Sequence, residues 1–247
     1  MRSRLLLAAA AVLALSAGAV HAAPSAAIQA AVADKGRPAA DTARDAARKP
    51  ADMLEFAGVK PGQTVADFLP GGGYFTRVFS KAVGAKGVVY AIISEAQAAN
   101  KDKPPAVAAI AADPAYANVK VVPAKFDSLQ LPTPADVIFT AQNYHDLHLA
   151  RLNLDVAAVN KAVFNALKPG GYYIVVDHAA AAGAPLDVAD TLHRIDPAVV
   201  RKELEAAGFT YVGESAVLRR ADDDHTKKVF ELHDHTDQFV YKFQRPK

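Results

Sequence analysis

The hydrophobic residues of this chain form short runs that alternate with segments of helical periodicity. Seven runs rich in β-branched and aromatic residues predict strands at 64–69, 88–93, 119–124, 136–140, 172–176, 209–218 and 238–243. The first five are apolar almost throughout, which is typical of strands covered on both faces. The chain is therefore expected to build a sheet enclosed by helices.

Helices are predicted between most of these strands. The clearest spans 155–167, with Val156, Val159 and Val163 at helical spacing and a Lys-Pro-Gly-Gly stop at 168–171. Others are predicted at 50–57, 74–83 and 197–207, whereas Pro104 and Pro105 make any helix within 97–112 short or kinked. The alternation predicts an α/β fold with a mainly parallel sheet, and the last two strands, which lack a crossover helix, predict a C-terminal antiparallel hairpin.

The N-terminus has the pattern of a secretory signal peptide. Arg2 and Arg4 precede an apolar run at 5–15, and small residues lead to Val20-His21-Ala22. We expect domain boundaries at 1–22 for the signal peptide, 23–49 for an Ala-rich tether and helical arm, and 50–247 for the folded domain. The expected location is periplasmic or secreted in a bacterium, without stable membrane insertion after cleavage, because the apolar run is too short to span a bilayer.

Composition excludes several classes of chemistry. The chain has no cysteine, so disulfides, a thiolate nucleophile and thiolate metal sites are absent. The formal charge of +2 and the lack of a basic stripe argue against nucleic acid as a partner. No Gly-x-Ser-x-Gly elbow is present, which disfavours a hydrolase triad.

A glycine loop follows the first predicted strand and opens the next helix. Residues 65–74 read VADFLPGGGY, 135–139 read ADVIF and 167–172 read LKPGGY. Together these segments resemble class I S-adenosylmethionine-dependent methyltransferases over roughly 50–247, and within them a bacterial subgroup of exported methyltransferases. The resemblance implies a Rossmann-like, doubly wound, mainly parallel seven-stranded sheet with the C-terminal hairpin.

The resemblance also implies S-adenosylmethionine as the cofactor and a small molecule as the methyl acceptor. The implied cofactor-binding residues are Asp67, Gly71, Gly72, Gly73, Tyr74, Glu95, Asp127, Gln142 and Asn143. For Asp67, holding the glycine-loop amides is an alternative role, and for Tyr74 the alternative is packing within the helix.

Two positions depart from the family pattern. Leu69 stands where a glycine usually follows the motif's acid, and Ile93 stands where the second strand usually ends in an acid for the ribose hydroxyls. Glu95, two residues later, is the candidate substitute. Both departures bear directly on whether the cofactor is bound.

Histidines follow the fourth and fifth strands and the loop after them. In open α/β sheets ligands bind beyond the carboxyl ends of the strands, so these residues are expected to converge. The candidate catalytic residues are His145, Asp146, His178 and His193. His145 is either a general base or a loop brace, and Asp146 either orients it or caps a turn.

Other roles for these polar residues stay open. Arg194 could clamp an anionic substrate, or form a surface salt bridge with Asp196. His145, His148, His178 and His193 have metal-ligand chemistry, but their spacing is not diagnostic and no metal is assigned. The run containing His225, His233, Asp234 and His235 is interpreted as a solvated loop. Beside the methyltransferase, a small-molecule-binding protein on a degenerate methyltransferase fold and a histidine- or metal-dependent enzyme remain alternatives.

Overall fold

The computed structural model describes residues 24–247, so the predicted signal peptide lies outside the described residues. The seven strands are β1 (Thr64–Phe68), β2 (Val88–Ser94), β3 (Val119–Ala124), β4 (Ala135–Ala141), β5 (Leu167–His178), β6 (Thr210–Ser215) and β7 (Gln238–Gln244). They form one sheet in the order β3-β2-β1-β4-β5-β7-β6. Strands β1 to β5 pair in parallel, and β7 is antiparallel to both β5 and β6. The predicted doubly wound sheet with a C-terminal antiparallel hairpin is confirmed.

The helices cover both faces of the sheet. They are α1 (Ala26–Val32), α2 (Ala39–Thr42), α3 (Asp45–Arg48), α4 (Pro50–Ala57), α5 (Tyr74–Val83), α6 (Glu95–Ala99), α7 (Ala106–Ala112), α8 (Val156–Ala166), α9 (Val188–Leu192), α10 (Pro197–Ala206) and α11 (Val229–Leu232). Short 3₁₀ turns occupy Pro114–Tyr116, Phe126–Ser128, His145–His148, Ala150–Leu152 and His233–His235. Among the described residues, no helix is long and apolar enough to cross a membrane.

Two apolar cores lie on the two faces of the sheet. One contains Phe75, Phe79 and Phe139 beneath α1, α4, α5 and α7. The other contains Phe68 and Tyr173 beneath α8 and α10. Burial on both faces explains why the central strands are continuously apolar rather than alternating.

The segment predicted as a tether and helical arm is helical, but it packs against the domain. Ile28 and Ala31 of α1 are buried in the core beneath α5. Arg37 forms a two-pronged ion pair with Asp45, at 2.6 and 2.7 Å. Alanine-rich composition suggested a tether, whereas the small side chains allow close helix packing. The packed part of the chain therefore begins well before residue 50.

The helix before residues 168–171 ends at Ala166, next to the predicted stop, but the following strand begins earlier than predicted. Strand β5 begins at Leu167, which pairs with Ala135 before a bulge between Ala135 and Val137. Gly170 within this stretch has a φ of 81°, so the glycine turn is taken up as an irregular start of the strand. The strand's other end delivers Asp177 and His178 to the carboxyl edge of the sheet.

Candidate functional site

Three neighbouring cavities lie along the carboxyl edge of the sheet. The glycine-loop cavity, about 230 Å³, is lined by Arg48, Asp67 and the loop after β1. The β2–β3 cavity, about 560 Å³, is lined by residues after β2 and β3 together with Asp146. The β5 cavity, about 320 Å³, is lined by His178 and the C-terminal loop. Leu69 lines the glycine-loop and β2–β3 cavities, and Gln142 lines the glycine-loop and β5 cavities, so the three cavities are neighbours separated by these side chains.

The glycine-loop cavity is lined by two acids and two bases. Asp41 pairs with Arg77 and Arg44 with Asp234, which leaves Asp67 and Arg48 outside the ion pairs of the described residues. Asp67, at the end of β1, is 3% exposed and accepts a hydrogen bond of 2.6 Å from the Thr76 hydroxyl. The hydrogen-bond partner of Asp67 is therefore in α5. This hydrogen bond does not support the alternative role of holding the glycine-loop amides. Burial raises the pKa of Asp67 to about 6, which the Thr76 hydroxyl only partly offsets. An ionised carboxylate here is held at a cost in free energy.

We expect Asp67→Asn to become more stable relative to the wild type as the pH rises. The folded-state pKa, about 6, lies above the ordinary value of 3.8, so ionisation opposes folding. The wild type has the full benefit of a neutral Asp67 below pH 4 and loses it progressively as the pH rises to 6. Denaturant unfolding of both proteins should show the difference moving by about 1–3 kcal/mol in favour of the variant between pH 4 and 7.5. A difference independent of pH would contradict this description of the carboxylate.

Arg48 is a basic residue of this cavity that no sequence pattern predicted. It is the last residue of α3, and its Nη2 donates to Oε1 of Gln142 at 3.1 Å. Its guanidinium carbon lies 4.5 Å from the ring centre of Tyr74 and 5.0 Å from that of Phe75. Burial, followed by repulsion from Arg44, lowers the pKa of Arg48 to about 10, so it stays charged at neutral pH. Residues 23–49 are Ala-rich and charged, which led to their interpretation as a tether, and no motif in them singled out Arg48.

Other predicted cofactor residues also line the glycine-loop cavity. Gly71 and Gly72 are exposed, and a Cβ added to either would meet nothing within 4 Å. Gly73, also predicted to bind the cofactor, does not line this cavity. It is required for packing instead, since its φ is 79° and a Cβ there would clash with the Ile110 side chain. Tyr74 is buried, and its hydroxyl donates to Asp45 at 2.6 Å. Asn143 donates to the Leu69 and Ala141 carbonyls, which joins the ends of β1 and β4.

Leu69 has a backbone conformation that suits glycine. Its φ is 62°, an uncommon value for a bulky side chain, and its amide is fixed to the Ile92 carbonyl at 3.1 Å. The half-buried side chain packs against the core that contains Phe68 and Tyr173, and it lines both the glycine-loop and the β2–β3 cavities. The geometry explains why a glycine is usual at this position, and it places the leucine between the two cavities.

The β2–β3 cavity collects the acids that follow β2 and β3. Ile93 is 3% exposed and points into the core, whereas Ser94 caps α6 and leaves Glu95 on the cavity wall. Asp127 lines the same cavity beside Phe126, whose ring packs edge-on against Phe68. The structure therefore places Glu95 and Asp127 together on this wall, as the predicted site requires.

Histidines converge beyond β4 and β5, as the sequence predicts. The ring centres of His145 and His178 are 5.9 Å apart, and those of His145 and His193 are 5.5 Å apart. The fully buried Asp177 accepts from the His145 backbone amide at 2.7 Å and pairs with His145 Nδ1 at 2.8 Å. Burial alone would lower the pKa of His145, but the Asp177 carboxylate raises it above its ordinary value.

The remaining histidines have separate partners. His178 pairs through Nδ1 with the Thr236 hydroxyl at 2.7 Å, and burial lowers its pKa to about 4. His148 contacts Glu203 at 3.2 Å, outside the cluster. His225 contacts Asp237, while His233 and His235 are exposed. Asp234, beside them, is not simply solvated, because it forms a two-pronged ion pair with Arg44 at 2.5 and 2.8 Å.

Arg194 has neither of the roles considered from the sequence. Its guanidinium is fully buried and forms a two-pronged ion pair with Asp223, at 2.8 and 3.0 Å. It also donates to the Ala179 and Lys227 carbonyls. Asp196 instead caps α10 through the Ala198 amide. Arg194 therefore joins the loop after β5 to the C-terminal loop and is not free to clamp a substrate.

Solved structures with the same architecture are SAM-dependent methyltransferases. A methyltransferase from Aquifex aeolicus matches with a TM-score of 0.56 and 21% identity over 82% of this chain and 92% of that one. The arsenic(III) S-adenosylmethionine methyltransferase of Chlamydomonas reinhardtii matches with a TM-score of 0.57 and 18% identity over 91% and 75%. The fold is that of class I SAM-dependent methyltransferases.

A third matching structure is a complex with two bound small molecules. The 1,6-didemethyltoxoflavin-N1-methyltransferase of Burkholderia thailandensis, solved with that acceptor and S-adenosylhomocysteine, has a TM-score of 0.53 and 17% identity over 85% of this chain and 79% of that one. No protein-family model and no curated protein matches the sequence. At these identities the similarity establishes the methyltransferase fold, and the residues of this chain must support any function.

Proposed function

We propose that the protein binds S-adenosylmethionine along the carboxyl edge of its sheet and transfers the methyl group to a small acceptor. The observation that carries the proposal is that two opposite charges, Asp67 and Arg48, line the glycine-loop cavity without forming an ion pair with each other. The methyltransferase fold of its structural neighbours supports the same conclusion. The acceptor is a small molecule of unidentified structure.

The glycine-loop cavity matches the amino-acid part of this cofactor. An α-amino acid carries one ammonium and one carboxylate. Of the charged groups that line the cavity, the Asp67 carboxylate and the Arg48 guanidinium are the two outside the ion pairs of the described residues. Asp67 lacks a cationic hydrogen-bond partner among the described residues, although burial makes its ionised form costly. A bound ammonium would compensate that charge, and Arg48 would take the carboxylate with two parallel hydrogen bonds. The exposed glycines leave the ligand room to approach the backbone.

The β2–β3 cavity fits the adenosine part. Glu95 follows β2, where a carboxylate can accept hydrogen bonds from ribose hydroxyls. Phe126 and Leu147 supply apolar walls, and Asp127 supplies an acceptor for an exocyclic amine. The cavity volume of about 560 Å³ is within the range of small-molecule sites. Leu69, between the cavities, would then lie beside the middle of the cofactor.

The chain contributes mainly by positioning the reactants. When bound, the cofactor supplies an electrophilic methyl group on a sulfonium ion. Asn143 fixes the end of β1 relative to β4, and Arg48 holds Gln142 at the boundary of the β5 cavity. The acceptor would be held near His145, Asp146, His178 and His193. Aligning two bound reactants can supply several kcal/mol, roughly 7–11 in favourable cases.

The direct test is transfer of an isotopically labelled methyl group. The purified protein is incubated with methyl-labelled S-adenosylmethionine and separate panels of small hydroxyl, carboxylate, amine and thiol compounds. We expect one panel to gain label in proportion to the S-adenosylhomocysteine formed, with Arg48→Ala as a control that loses most of the activity. Cofactor binding without transfer to any panel would favour a binding protein instead.

The Leu69 side chain lies between the two cavities proposed for the cofactor, and this position favours the binding-protein alternative. Substitution of Leu69 tests whether the side chain obstructs the cofactor. We expect Leu69→Gly to bind S-adenosylmethionine on the order of 10-fold more tightly, because removing the isobutyl group joins the two cavities. Stability should change by less than about 1 kcal/mol, since relief of the strained φ offsets the entropy of glycine and the lost packing. Calorimetric titration and denaturant unfolding measure the two effects.

Leu69→Ala is the matched control for this experiment. It removes most of the side chain but keeps the conformational cost of a Cβ at positive φ. If space is what limits binding, both variants bind the cofactor more tightly than the wild type. Weaker binding by both variants would show that Leu69 contacts the cofactor rather than limiting its space. That result would contradict the prediction and remove the observation that favours the binding-protein alternative.

We also propose that the protein is an exported member of this fold group. The basic residues, apolar run and small-residue site at 1–22 support cleavage after Ala22, with the mature protein in the periplasm or secreted. Cell fractionation followed by N-terminal sequencing tests this. A mature N-terminus at Ala23 outside the cytoplasm is the expected result, and an intact Met1 on a cytoplasmic protein would overturn it.

A further inference from the structure

We propose that His145, Asp146 and His193 bind a divalent transition-metal ion. One ligand atom from each of the three lies within 4.8 Å of the other two. Two imidazoles and a carboxylate are a ligand set that suits zinc or iron. Small side-chain rotations would bring these atoms to metal–nitrogen and metal–oxygen distances of roughly 2.0–2.2 Å. The structure thus indicates three particular ligands, whereas the sequence suggested four histidines whose spacing is not diagnostic.

Asp177 prepares His145 for this role. The Asp177 carboxylate lies 2.8 Å from His145 Nδ1, and a carboxylate only accepts hydrogen bonds. It therefore accepts Nδ1–H of His145, which leaves Nε2 facing the other two ligands. A carboxylate behind a metal-binding histidine fixes the tautomer and ring orientation in just this way. Two backbone amides, of His145 and His178, hold the Asp177 carboxylate in position.

Asp146 and His193 approach the same side of the His145 ring. Asp146 Oδ1 lies 3.4 Å from His145 Nε2. His193 comes from a different segment, with a left-handed backbone at φ 55°, and its ring stands at 88° to that of His145. Within residues 24–247, the only ion-pair partner of either Asp146 or Asp177 is His145. Two carboxylates beside these imidazoles produce an environment that favours a cation.

The ion would have open coordination positions next to the proposed adenosine cavity. Asp146 lines the β2–β3 cavity, and three protein ligands leave room for water or substrate. If the proposed function holds, an acceptor oxygen can occupy that position, and its hydroxyl pKa would fall on the metal. The acceptor would then be an alcohol or phenol, and Nε2 of His145 would be a ligand rather than a general base. Binding of the ion itself does not depend on the cofactor.

The test uses Co²⁺ as a spectroscopic probe, with protein that has no histidine tag and no S-adenosylmethionine. We expect the wild type to bind one Co²⁺, with visible d–d absorption, competition by Zn²⁺, and an anomalous-scattering peak between His145, Asp146 and His193. His193→Asn tolerates the left-handed backbone, and Asp146→Asn preserves the side-chain shape. Each should weaken binding at least 100-fold, and Asp177→Asn should weaken it about 10- to 100-fold.

His235→Ala is the matched control, because His235 is exposed and lies outside the cluster. It should bind Co²⁺ as the wild type does. Thermal unfolding of each apo variant identifies any that fails to fold, and the two ligand variants give independent readings. No one-to-one binding of Co²⁺ or Zn²⁺ at about 1 mM, or binding that His193→Asn and Asp146→Asn both leave unchanged, would overturn the metal site. Neither result would bear on cofactor binding, which is measured separately.

Discussion

Replacing Arg194 with alanine is expected to lower the free energy of unfolding by about 3–5 kcal/mol. The substitution leaves Asp223 buried without its cation and removes hydrogen bonds to the Ala179 and Lys227 carbonyls. Removing one member of a buried ion pair costs far more than the pair contributes net, because the other charge stays desolvated. Urea unfolding followed by circular dichroism measures the change.

Arg201→Ala is the control for Arg194→Ala. Arg201 also pairs with a carboxylate, Glu205, but both side chains are nearly half exposed, at 49% and 43%. Exposed pairs of this kind contribute little to stability, so this variant should unfold at nearly the wild-type urea concentration. A loss below about 1 kcal/mol for Arg194→Ala would show that the two loops are not held together by this residue. Because His193 precedes Arg194, the same variant should also weaken Co²⁺ binding.

Replacing Arg48 with alanine is expected to weaken S-adenosylmethionine binding on the order of 100-fold, which is about 2.7 kcal/mol. Truncating one side of a desolvated, hydrogen-bonded charge pair generally costs about 2–5 kcal/mol. S-adenosylhomocysteine should lose the same amount, because it has the same amino-acid group. Adenosine lacks that group, so its affinity should be unchanged.

The adenosine comparison separates a lost contact from a damaged cavity. Arg48 also lies against the Tyr74 and Phe75 rings, so its removal could disturb the glycine loop. Arg48→Lys keeps the charge but not the planar, two-pronged geometry, and should lose about 10-fold. Equal losses for adenosine and for S-adenosylmethionine would place the effect in folding and contradict a carboxylate-binding role.

The fold could be predicted from the sequence because local signals agree. Apolar runs at β1, β2 and β4 and the periodicity of α8 each indicate one structure, and turn residues separate them. The N-terminal segment was harder, because alanine does not distinguish a tether from a closely packed helix. The packing of this segment includes the long-range ion pair Arg44–Asp234, which joins residues 190 positions apart in the sequence.

The site was predictable in its location and only partly in its roles. The rule that ligands bind at the carboxyl edge of a parallel sheet placed Asp67, Glu95, His145 and His193 correctly together. Arg48 reaches the site only because α3 folds back over it, which no local pattern indicates. Likewise, the partners of Arg194 and His178 lie in the C-terminal loop, so their roles required the tertiary structure.

Calorimetric titration of the purified wild-type protein with S-adenosylmethionine and S-adenosylhomocysteine tests the central claim most directly. The opposite charges of Asp67 and Arg48 in one cavity and the adjoining β2–β3 cavity predict one binding site per chain with micromolar affinity for both ligands. Absence of binding by either ligand at millimolar concentration would contradict the claim that this edge of the sheet is a cofactor site.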